Sequence, residues 1–495
     1  MLMMLHHPTI VRDRRAAPSA RQRNVSLRSQ RPARSMSTLA TSHDTLGWQD
    51  LDRRHYLHPF TDSRALHARG ARIITRAEGV YLWDSEGTRI LDGMAGLWCV
   101  NVGYGRRELV DAAAAQMLEL PFYNSFFKTA TPPTLALAAL LAEVTPPQFK
   151  HVFFTSSGSE ANDTVVRLVR HYWQVQGQPQ RKTIISRWLA YHGSTVAGAS
   201  LGGMRYMHEQ GDLPIPGIEH IDPPYWFEQG TDNDQEAFGL LAARRLEERI
   251  LAIGADKVAA FIGEPIQGAG GVIVPPASYW PEIERICRKY GILLVSDEVI
   301  CGFGRLGRWF GCEHFGYTPD LMVIAKGLSS GYLPIGGVMV SDSVATTLIE
   351  RGGEFNHGYT YSGHPTCCAV AERNVRILRD EHIVERVHDD TGPYLQARLR
   401  ELADHPLVGE VRGVGFMAAL ELVRDKASRT RYAPVGEIGT LCRDFCFDNG
   451  LIMRAVGDTM IIAPALVMSR AEIDELIERA RLCLDLTLAA ARDHA

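Results

Sequence analysis

The sequence predicts an α/β protein, with a large domain built around a mostly parallel sheet and a smaller α+β domain. Three observations support this fold class: short apolar runs alternate with helical patterns between about residues 131 and 341, a hairpin pattern precedes this region, and helical and strand-like segments mix after residue 380. Strands buried on both faces appear as continuous apolar runs, and their alternation with helices indicates a parallel sheet with right-handed crossovers.

The individual elements follow in chain order. Alternating apolar residues on both sides of an Asp-Ser-Glu-Gly turn predict a hairpin at 80–91. Buried strands are predicted at 152–154, 183–186, 259–262, 292–295, 321–325 and 337–340. Helical patterns at 385–403 and 435–449 flank a strand-like run at 416–422. The last helix is predicted to start at a capping box, Ser469 with Glu472, and its apolar face comprises Ile473, Leu476, Ile477, Ala480, Cys483 and Leu484.

These patterns divide the chain of 495 residues into four parts. We expect residues 36–105 and 381–495 to form the two parts of the small domain, and residues 106–380 to form the large domain. Residues 1–35 contain eight arginines and one acid, Asp13, without the apolar core of a secretory signal. We interpret them as a disordered leader or a non-native segment before a start at Met36, with an organelle transit peptide as the alternative.

Composition excludes several classes of function. The 57 acidic and 53 basic residues give a net charge of -4, so nothing indicates a nucleic-acid or membrane partner. No apolar run is long enough to cross a bilayer. The nine cysteines are scattered and contain no CxxC pair, which argues against a disulfide framework and against a metal site. A reducing, cytoplasmic location fits this pattern best.

One glycine motif suggests a function that its context does not support. Residues 302–307 read Gly-Phe-Gly-Arg-Leu-Gly and follow an apolar strand, as a dinucleotide-binding fingerprint does. That fingerprint must open a helix at once, but Gly311, Gly316 and Pro319 interrupt the following segment. Two acids, Asp297 and Glu298, also stand where the pyrophosphate would lie. We therefore interpret the glycines as loop turns.

The residues that follow the predicted strands carry the chemistry, because ligands of open α/β sheets bind at the carboxyl ends of strands. A turn of small residues, Ser157-Gly158-Ser159, opens a helix after the first buried strand and is suited to a phosphate. Glu264, Asp297 and Lys326 end three further strands. The simplest interpretation of any one pair is a structural ion pair. The presence of all three beside a phosphate cradle favours a cofactor site.

Pyridoxal 5'-phosphate (PLP) requires this set of groups. A lysine must form the imine with the cofactor aldehyde, and Lys326 supplies the amine. A carboxylate must face the pyridine nitrogen and keep it protonated, and Asp297 is the natural candidate. Tyr191 and His192 follow the strand at 183–186, where an aromatic side chain would cover the ring.

The residues just described resemble the class-III aminotransferases of PLP fold type I, and more narrowly the ω-amine:pyruvate transaminases. The resemblance runs from about Tyr56 to the C-terminus. Its most specific part is Asp-Glu-Val-Ile-Cys-Gly-Phe-Gly-Arg-Leu-Gly at 297–307, followed by Ala-Lys-Gly at 325–327. It implies a PLP-binding large domain at 106–380 and a homodimer.

The same resemblance implies roles for individual residues. Lys326 would be the catalytic Schiff-base lysine, and Asp297 would pair with the pyridinium nitrogen. The phosphate would be held by Ser157, Gly158 and Ser159. The remaining cofactor-binding residues would be Tyr191 and Val299 on the two ring faces, His192, Glu264, and Thr360 reaching the phosphate of the neighbouring subunit.

Substrate-binding residues are also implied by the resemblance. Trp98 and Phe126 resemble the pocket aromatics of amine:pyruvate transaminases, with Tyr191 beside them. Arg454 matches the family's mobile arginine, which pairs with a carboxylate and swings away from an uncharged amine; the alternative is a surface arginine. Ile300 occupies a position where aminotransferases of ornithine or γ-aminobutyrate commonly have glutamine, which counts against those substrates.

The expected reaction is a ping-pong transfer of an amino group from a primary ω-amine to pyruvate, through pyridoxamine phosphate. The products are alanine and an aldehyde or ketone. A PLP-dependent decarboxylase or aminomutase of the same fold is an alternative, and a non-catalytic PLP-binding regulator is another. Putrescine, β-alanine, taurine and aryl amines all stay open as donors, as do the enantiopreference and any assembly beyond the dimer.

Overall fold

The computed structural model describes residues 44–230 and 234–493, so the arginine-rich segment 1–35 and its predicted role lie outside the described residues. The chain divides into two units, residues 1–69 and residues 70–495. The first unit contains helices α1 (Thr45–His55) and α2 (Ser63–Arg69) in its described part. Asp44 caps α1, because its side chain accepts a hydrogen bond from the backbone N–H of Gly47 at 2.8 Å.

The second unit contains all the remaining helices and strands. It begins with β1 (Ile74–Glu78), β2 (Tyr81–Asp84), β3 (Arg89–Asp92), α3 (Ala95–Trp98), α4 (Arg107–Glu119) and α5 (Pro132–Val144). Its central part comprises β4 (Phe149–Thr155), α6 (Gly158–Val175), β5 (Thr183–Arg187), α7 (Val196–Leu201), α8 (Arg205–Gly211), β6 (Ile218–Ile221), α9 (Trp226–Gln229), α10 (Gln235–Ile253), β7 (Val258–Gly263), α11 (Tyr279–Tyr290), β8 (Leu293–Asp297), α12 (Gly311–Phe315), β9 (Leu321–Ile324) and β10 (Gly336–Ser341). Its last part comprises α13 (Asp342–Arg351), α14 (Pro365–Asp380), α15 (Ile383–Arg386), α16 (Gly392–Arg400), β11 (Val408–Val414), β12 (Met417–Leu422), α17 (Glu437–Asp448), β13 (Leu451–Ile452), β14 (Arg454–Val456), β15 (Thr459–Ile462) and α18 (Arg470–Asp493).

A seven-stranded sheet forms the centre of this unit, in the order β4-β10-β9-β8-β7-β5-β6. Strand β10 runs antiparallel to both of its neighbours, and every other neighbouring pair is parallel. The predicted mostly parallel sheet is therefore confirmed. Strands β7, β8 and β9 are buried along their whole length, because helices cover both faces of a parallel sheet. Their carboxyl ends lie at one edge of the sheet.

The strand β6 was absent from the sequence-based prediction. It lies at the edge of the sheet, pairs only with β5 and reads Ile-Glu-His-Ile. Glu219 and His220, its middle residues, are only partly buried, so the segment lacks the continuous apolar run of the central strands. Edge strands contact one neighbour only, and their sequence signal is correspondingly weak.

Two four-stranded sheets complete the fold, in the orders β1-β2-β3-β13 and β11-β12-β15-β14. The hairpin of β2 and β3 confirms the predicted strand pair at 80–91. The short strand β13 pairs in parallel with β3, with Ile452 opposite Asp92, and so joins the N-terminal strands to the C-terminal segment. The predicted domain boundaries near residues 105 and 380 stay predictions.

The C-terminal helices differ from the prediction at one place. The helical pattern at 385–403 is interrupted by a π-helical turn at Val387–Thr391, which lies between α15 and α16, and it ends in a 3₁₀ turn at Glu401–Asp404. Pro393 at the start of α16 has no N–H to donate, so a regular helix would lose a hydrogen bond there.

The capping box before α18 is confirmed, because the backbone N–H of Ser469 donates to Glu472 at 2.7 Å and that of Glu472 donates to Ser469 Oγ at 3.3 Å. All six residues of the predicted apolar face of α18 are buried. Among the described residues, no helix combines the length and the apolar character that crossing a bilayer requires.

Candidate active site

One cavity lies where β7, β8 and β9 end beside the start of α6. It brings together most of the residues that the sequence predicted for the site. Its lining consists of Gly158, Ser159, Asn162, Tyr191, His192, Gly193, Glu264, Asp297, Val299, Ile300, Ala325 and Lys326. The three ionisable groups that follow three different strands therefore face a common space, as the topological rule for open α/β sheets predicts.

Helix α6 presents its N-terminus to this cavity. Gly158 and Ser159 form its first turn, where backbone N–H groups have no acceptor within the helix and the helix dipole favours an anion. The hydroxyl of Ser157 is used differently: its Oγ accepts the backbone N–H of Glu160 at 3.2 Å and so caps the helix. Ser157 is also absent from the cavity lining, so within this turn the cavity meets Gly158 and Ser159.

Asp297 lies at the end of β8 and is held by three hydrogen bonds. Its Oδ2 accepts from His192 Nδ1 at 2.6 Å and from Asn162 Nδ2 at 2.9 Å, and its Oδ1 accepts from the backbone N–H of Val299 at 3.1 Å. Burial by itself would raise the pKa of this carboxyl, but the hydrogen bond and charge of His192 outweigh burial and hold the pKa below its ordinary value. Asp297 is therefore ionised at neutral pH.

The neighbouring acid, Glu298, points the other way. Its carboxylate accepts the backbone N–H groups of Gly311 at 2.7 Å and Cys312 at 2.8 Å, and a hydroxyl hydrogen bond from Ser296 at 3.0 Å. It thereby holds the start of α12 instead of facing the cavity. The glycine motif at 302–307 that precedes α12 forms turns, with Gly304 and Gly307 at positive φ, and opens no helix. The interpretation of this motif as loop turns is confirmed.

Lys326 follows β9 and lines the cavity together with Gly158 and Ser159 of α6. Its backbone lies in the left-handed region, with φ +47, at the start of the 3₁₀ turn Lys326–Leu328. Such a conformation is strained for a residue with a side chain and is more frequent at functional sites. Burial lowers the pKa of the Lys326 ammonium, and the negative charge of Asp297 opposes this effect. A lysine with a lowered pKa has the neutral amine fraction that imine formation needs.

Glu264, after β7, fixes the segment that carries Tyr191. One carboxylate oxygen accepts the backbone N–H of Tyr191 at 3.0 Å, and the other accepts the backbone N–H of Gly268 at 2.9 Å. Burial raises the pKa of Glu264, and the charge of Asp297 adds to that effect while His192 opposes it. The contacts of this carboxylate within the chain are therefore with backbone groups of the cavity wall.

Small and apolar residues set the width of the cavity. A Cβ atom on Gly158 would lie 3.1 Å from the nearest methyl of Val299, so any larger residue at this position would press on the opposite wall. Ile300 lines the same wall and packs with Trp98. Gly193 is also constrained: with φ +121, a Cβ there would lie 2.5 Å from Ser159 Oγ. Only glycine fits at that position.

Two of the predicted substrate-binding residues lie near the cavity. Trp98 is buried with φ +65, and its indole Nε1 has no hydrogen-bond partner among the described residues. Arg454 starts β14 and makes no ion pair with any acid in the described ranges. Burial lowers the pKa of its guanidinium, and Tyr206 and Tyr191 act in the opposite direction. Arg454 is half-buried, and its role as a substrate-binding arginine stays a prediction.

Phe126 and Thr360 lie away from this cavity within the chain. Phe126 lines a second cavity with Ser125, His357 and Gly358, and Thr360 is exposed in the loop that follows. Thr360, which is expected to reach a neighbouring subunit, therefore lies in the same part of the chain as the second cavity, which Phe126 lines. A role of both residues at the site of a neighbouring copy stays a proposal.

The cavity residues fit PLP on the chemistry that they present. The cofactor has three polar parts: an aldehyde, a pyridine nitrogen and a phosphate. The cavity offers a buried amine at Lys326, an ionised carboxylate at Asp297 and the first turn of α6. A helix N-terminus is suited to phosphate, and an ionised carboxylate is suited to a protonated ring nitrogen. The aldehyde, the ring nitrogen and the phosphate of the cofactor therefore each have a chemically suitable partner in the cavity.

Sequence reasoning missed Asn162 as a site residue. Its side chain bridges Asp297 and the backbone carbonyl of His192, at 2.9 Å and 2.8 Å. The signal that could have identified it is its position four residues after Gly158, which puts both on one face of α6. A polar residue that is fully buried on the inner face of an amphipathic helix calls for a partner.

Comparison with known proteins shows the family to which the chain belongs. The family model for class-III aminotransferases matches residues 65–484. A putrescine–pyruvate aminotransferase of Pseudomonas aeruginosa is 63% identical over 455 residues, which cover 92% of this chain and 99% of that protein.

Solved structures of ω-transaminases are similar over nearly the whole chain. A thermostable (S)-enantioselective ω-transaminase from Thermomicrobium roseum is 46% identical with a TM-score of 0.87, covering 91% of this chain and 100% of that one. The ω-transaminase from Pseudomonas jessenii in complex with PMP is 42% identical, also with a TM-score of 0.87, and the match covers 89% of this chain and 98% of that one.

Proposed function

We propose that this chain, which belongs to the class-III aminotransferase family and uses PLP, transfers amino groups. The donor is a primary ω-amine and the acceptor is pyruvate. The products are alanine and an aldehyde or ketone. The observation that carries the proposal is the placement of Lys326, Asp297 and the start of α6 around one cavity. The identity of 63% with a putrescine–pyruvate aminotransferase supports the donor and acceptor, and makes putrescine the first donor to test.

The residues of this chain would divide the work as follows. When bound, PLP carries the amino group between the two half-reactions, and its protonated ring accepts the electrons left by a departing proton. Lys326 holds the cofactor between turnovers, then takes the proton from the amine-bearing carbon and returns it, which its lowered pKa permits. Asp297, ionised and held by His192 and Asn162, keeps the ring nitrogen protonated.

The substrate side of the cavity would be formed by Trp98, Ile300 and Arg454. The indole of Trp98 and the side chain of Ile300 give an apolar wall suited to the carbon chain of an amine. Arg454 binds the pyruvate carboxylate, because a partly buried guanidinium without an acid partner in the described ranges gains a bidentate pair when a carboxylate enters. Tyr191 covers the cofactor ring from the segment that Glu264 fixes.

The proposal is tested with the purified holoenzyme, putrescine or another primary amine, and pyruvate, with alanine formation as the measurement. We expect Lys326→Ala to abolish turnover, because no other lysine lines the cavity in the described residues. The control is Lys150→Ala, an exposed lysine on β4 that should leave turnover unchanged. Turnover retained by Lys326→Ala would contradict the assignment.

The same assay separates the alternatives. A decarboxylase or aminomutase would consume its substrate without forming alanine from pyruvate, and a non-catalytic regulator would show no consumption. A panel of amines that includes putrescine, β-alanine, taurine and 1-phenylethylamine, each with pyruvate, identifies the donor class. Alanine formed in a one-to-one ratio with the carbonyl product is the expected result.

A homodimer with shared active sites is part of the proposal. Exposed aromatic and aliphatic side chains cluster beside the second cavity: Phe122, Tyr123, Phe127, Leu135 and Tyr361. Phe127 is 90% exposed and contacts Phe126, and Phe122 contacts Tyr361 edge to face. Exposed apolar patches of this kind mark interfaces between proteins. A second copy bound there would bring Phe126 and Thr360 to the neighbouring site.

A cytoplasmic location also belongs to the proposal. The nine cysteines form no disulfide in the structure, and eight of them are buried. Free thiols in this number fit a reducing compartment. Cell fractionation with detection of the intact protein tests this location, and enrichment in an organelle or an oxidising compartment would contradict it.

A further inference from the structure

The segment from β3 to Trp98, here called the loop 93–98, contains the short element α3, whose backbone is non-helical at Gly96 and Leu97, and it is held in a strained conformation. Ala95 and Trp98 have φ values of +47 and +65, in the left-handed region that disfavours residues with side chains. Gly96 lies between them at +69. Such conformations persist only where the surrounding structure imposes them, and they occur more often at functional sites. The loop therefore needs an anchor, and its strain points to a use.

The anchor is Asp92, the last residue of β3. Its Oδ1 accepts the backbone N–H of Met94 at 3.0 Å, and its Oδ2 accepts the backbone N–H of Gly96 at 2.6 Å. The hydroxyl of Tyr104 donates to the same Oδ2 at 2.7 Å. Asp92 is almost fully buried, so water cannot substitute for these contacts. Burial raises the pKa of Tyr104, and the adjacent carboxylate adds to the effect, so the phenol stays a donor.

The loop that Asp92 anchors lies behind the part of the cavity wall that Ile300 forms, because Trp98 and Ile300 share one apolar cluster and both approach Gly268. Trp98 packs with Ile300, which lines the cavity together with Lys326. Rotating the peptide planes of the loop would move the indole and so change the space left for a substrate. The position of Trp98 therefore depends on hydrogen bonds made six residues earlier in the chain.

We propose that Asp92 is a positioning residue that fixes the strained loop 93–98 and so sets the size of amine that the site accepts. The proposal rests on the proposed function for its substrate class. Asp92 does not line the cavity. It acts through Trp98, with Tyr104 as the second holder of the same carboxylate oxygen.

The test compares two amine donors of different width, putrescine and 1-phenylethylamine, each with pyruvate. In Asp92→Asn, one carboxylate oxygen becomes an NH₂ group that cannot accept from Gly96. We expect kcat/KM for putrescine to fall about tenfold, the loss typical of a charged hydrogen bond. The value for 1-phenylethylamine should fall less or rise, while the KM for pyruvate stays unchanged. A shift of the donor ratio by about fivefold or more supports the proposal, and an equal loss on both donors contradicts it.

Matched variants separate positioning from a structural effect. Asp84, the last residue of the neighbouring strand β2, is also buried. Its carboxylate also accepts two backbone N–H groups, those of Glu86 and Thr88. Asp84→Asn alters a buried carboxylate outside the loop of Trp98 and should leave the donor ratio unchanged. In a Trp98→Gly background, Asp92→Asn should change the ratio no further. An additive effect in that background would contradict the action through Trp98.

A readout without turnover keeps this inference separate from the proposed function. Near-UV circular dichroism of the protein without substrate should change in Asp92→Asn and not in Asp84→Asn. The change should disappear when Trp98 is replaced by Phe. If Asp92→Asn does not fold, Tyr104→Phe removes one hydrogen bond to the same oxygen and should shift both readouts in the same direction. A wild type that forms no alanine would contradict the function, whereas an unaltered near-UV spectrum would contradict the role of Asp92.

Discussion

At the scale of single residues, the site works through pairs whose charges are set by burial and by hydrogen bonds. Asp297 and Lys326 illustrate this. Asp297 is buried, yet its pKa lies below its ordinary value because His192 and Asn162 donate to it. Lys326 is partly buried, and desolvation lowers the pKa of its amine. A carboxyl with a lowered pKa and a lysine with a lowered pKa are both suited to PLP chemistry. Neither lowered pKa follows from residue type alone.

The role proposed for Asp297 predicts a large loss of rate in Asp297→Asn. The amide cannot stabilise a positive charge on the ring nitrogen, so we expect kcat to fall by roughly 10²–10³, a range typical of a removed electrostatic partner. The measurement is steady-state alanine formation with saturating cofactor. Glu298→Gln is the control, because the neighbouring carboxylate points toward α12, and this variant should keep its rate. Equal losses in the two variants would contradict the role.

Arg454 predicts an effect on one half-reaction only. In Arg454→Leu the pyruvate carboxylate loses a bidentate partner, so kcat/KM for pyruvate should fall by roughly 10- to 100-fold. The reaction of the holoenzyme with putrescine, followed by loss of the visible cofactor absorption in single turnover, should change little. Arg424→Leu, at an exposed position, serves as the control. A similar loss in both half-reactions would show that Arg454 supports the cavity as a whole.

At the scale of elements, helix α6 combines a structural cap with a candidate phosphate site. Its first turn contains Ser157, which caps the helix, and Gly158 and Ser159, which face the cavity. The resemblance of this turn to the family motif gave all three serine and glycine residues one role. In the structure, the Ser157 hydroxyl accepts a hydrogen bond from the backbone N–H of Glu160. The two functions are therefore separable by mutation.

Ser157→Ala should lower the free energy of unfolding by about 1 kcal/mol, the usual loss for an N-cap serine. The affinity for PLP should change little. Ser159→Ala should show the reverse pattern, with weaker PLP binding and a smaller loss of stability. Chemical denaturation of the cofactor-free protein and titration with PLP measure the two quantities. PLP binding weakened more by Ser157→Ala than by Ser159→Ala would contradict this division.

At the scale of the whole molecule, the apolar patch beside Phe126 predicts that assembly and activity are linked. Phe127→Glu places a charge in the centre of the patch, at a side chain that is 90% exposed. We expect a monomer by light scattering and a loss of alanine formation, because Phe126 and Thr360 would no longer reach a neighbouring site. Leu251→Glu, on α10 at 62% exposure, is the control and should stay dimeric and active. A dimeric, active Phe127→Glu would contradict the proposed interface.

Some features of this protein could be predicted because they depend on local sequence. The continuous apolar runs identified β7, β8 and β9, and the residues after them identified Glu264, Asp297 and Lys326, because a parallel sheet brings its carboxyl ends to one edge. The capping box of α18 is equally local. The edge strand β6 escaped prediction because its middle residues are polar and only partly buried.

Local sequence patterns are therefore sufficient to indicate the class of fold, the cofactor and the two residues proposed to carry the chemistry, because periodicity and strand-end positions depend on neighbouring residues. Only the folded structure shows which partners contact these two residues. His192 and Asn162 meet Asp297 from 105 and 135 residues away. The folded structure also uses the Ser157 hydroxyl as a helix cap and places Phe126 at a second cavity. Hydrogen bonds and packing between distant segments depend on the arrangement of the folded chain, and no local pattern records that arrangement.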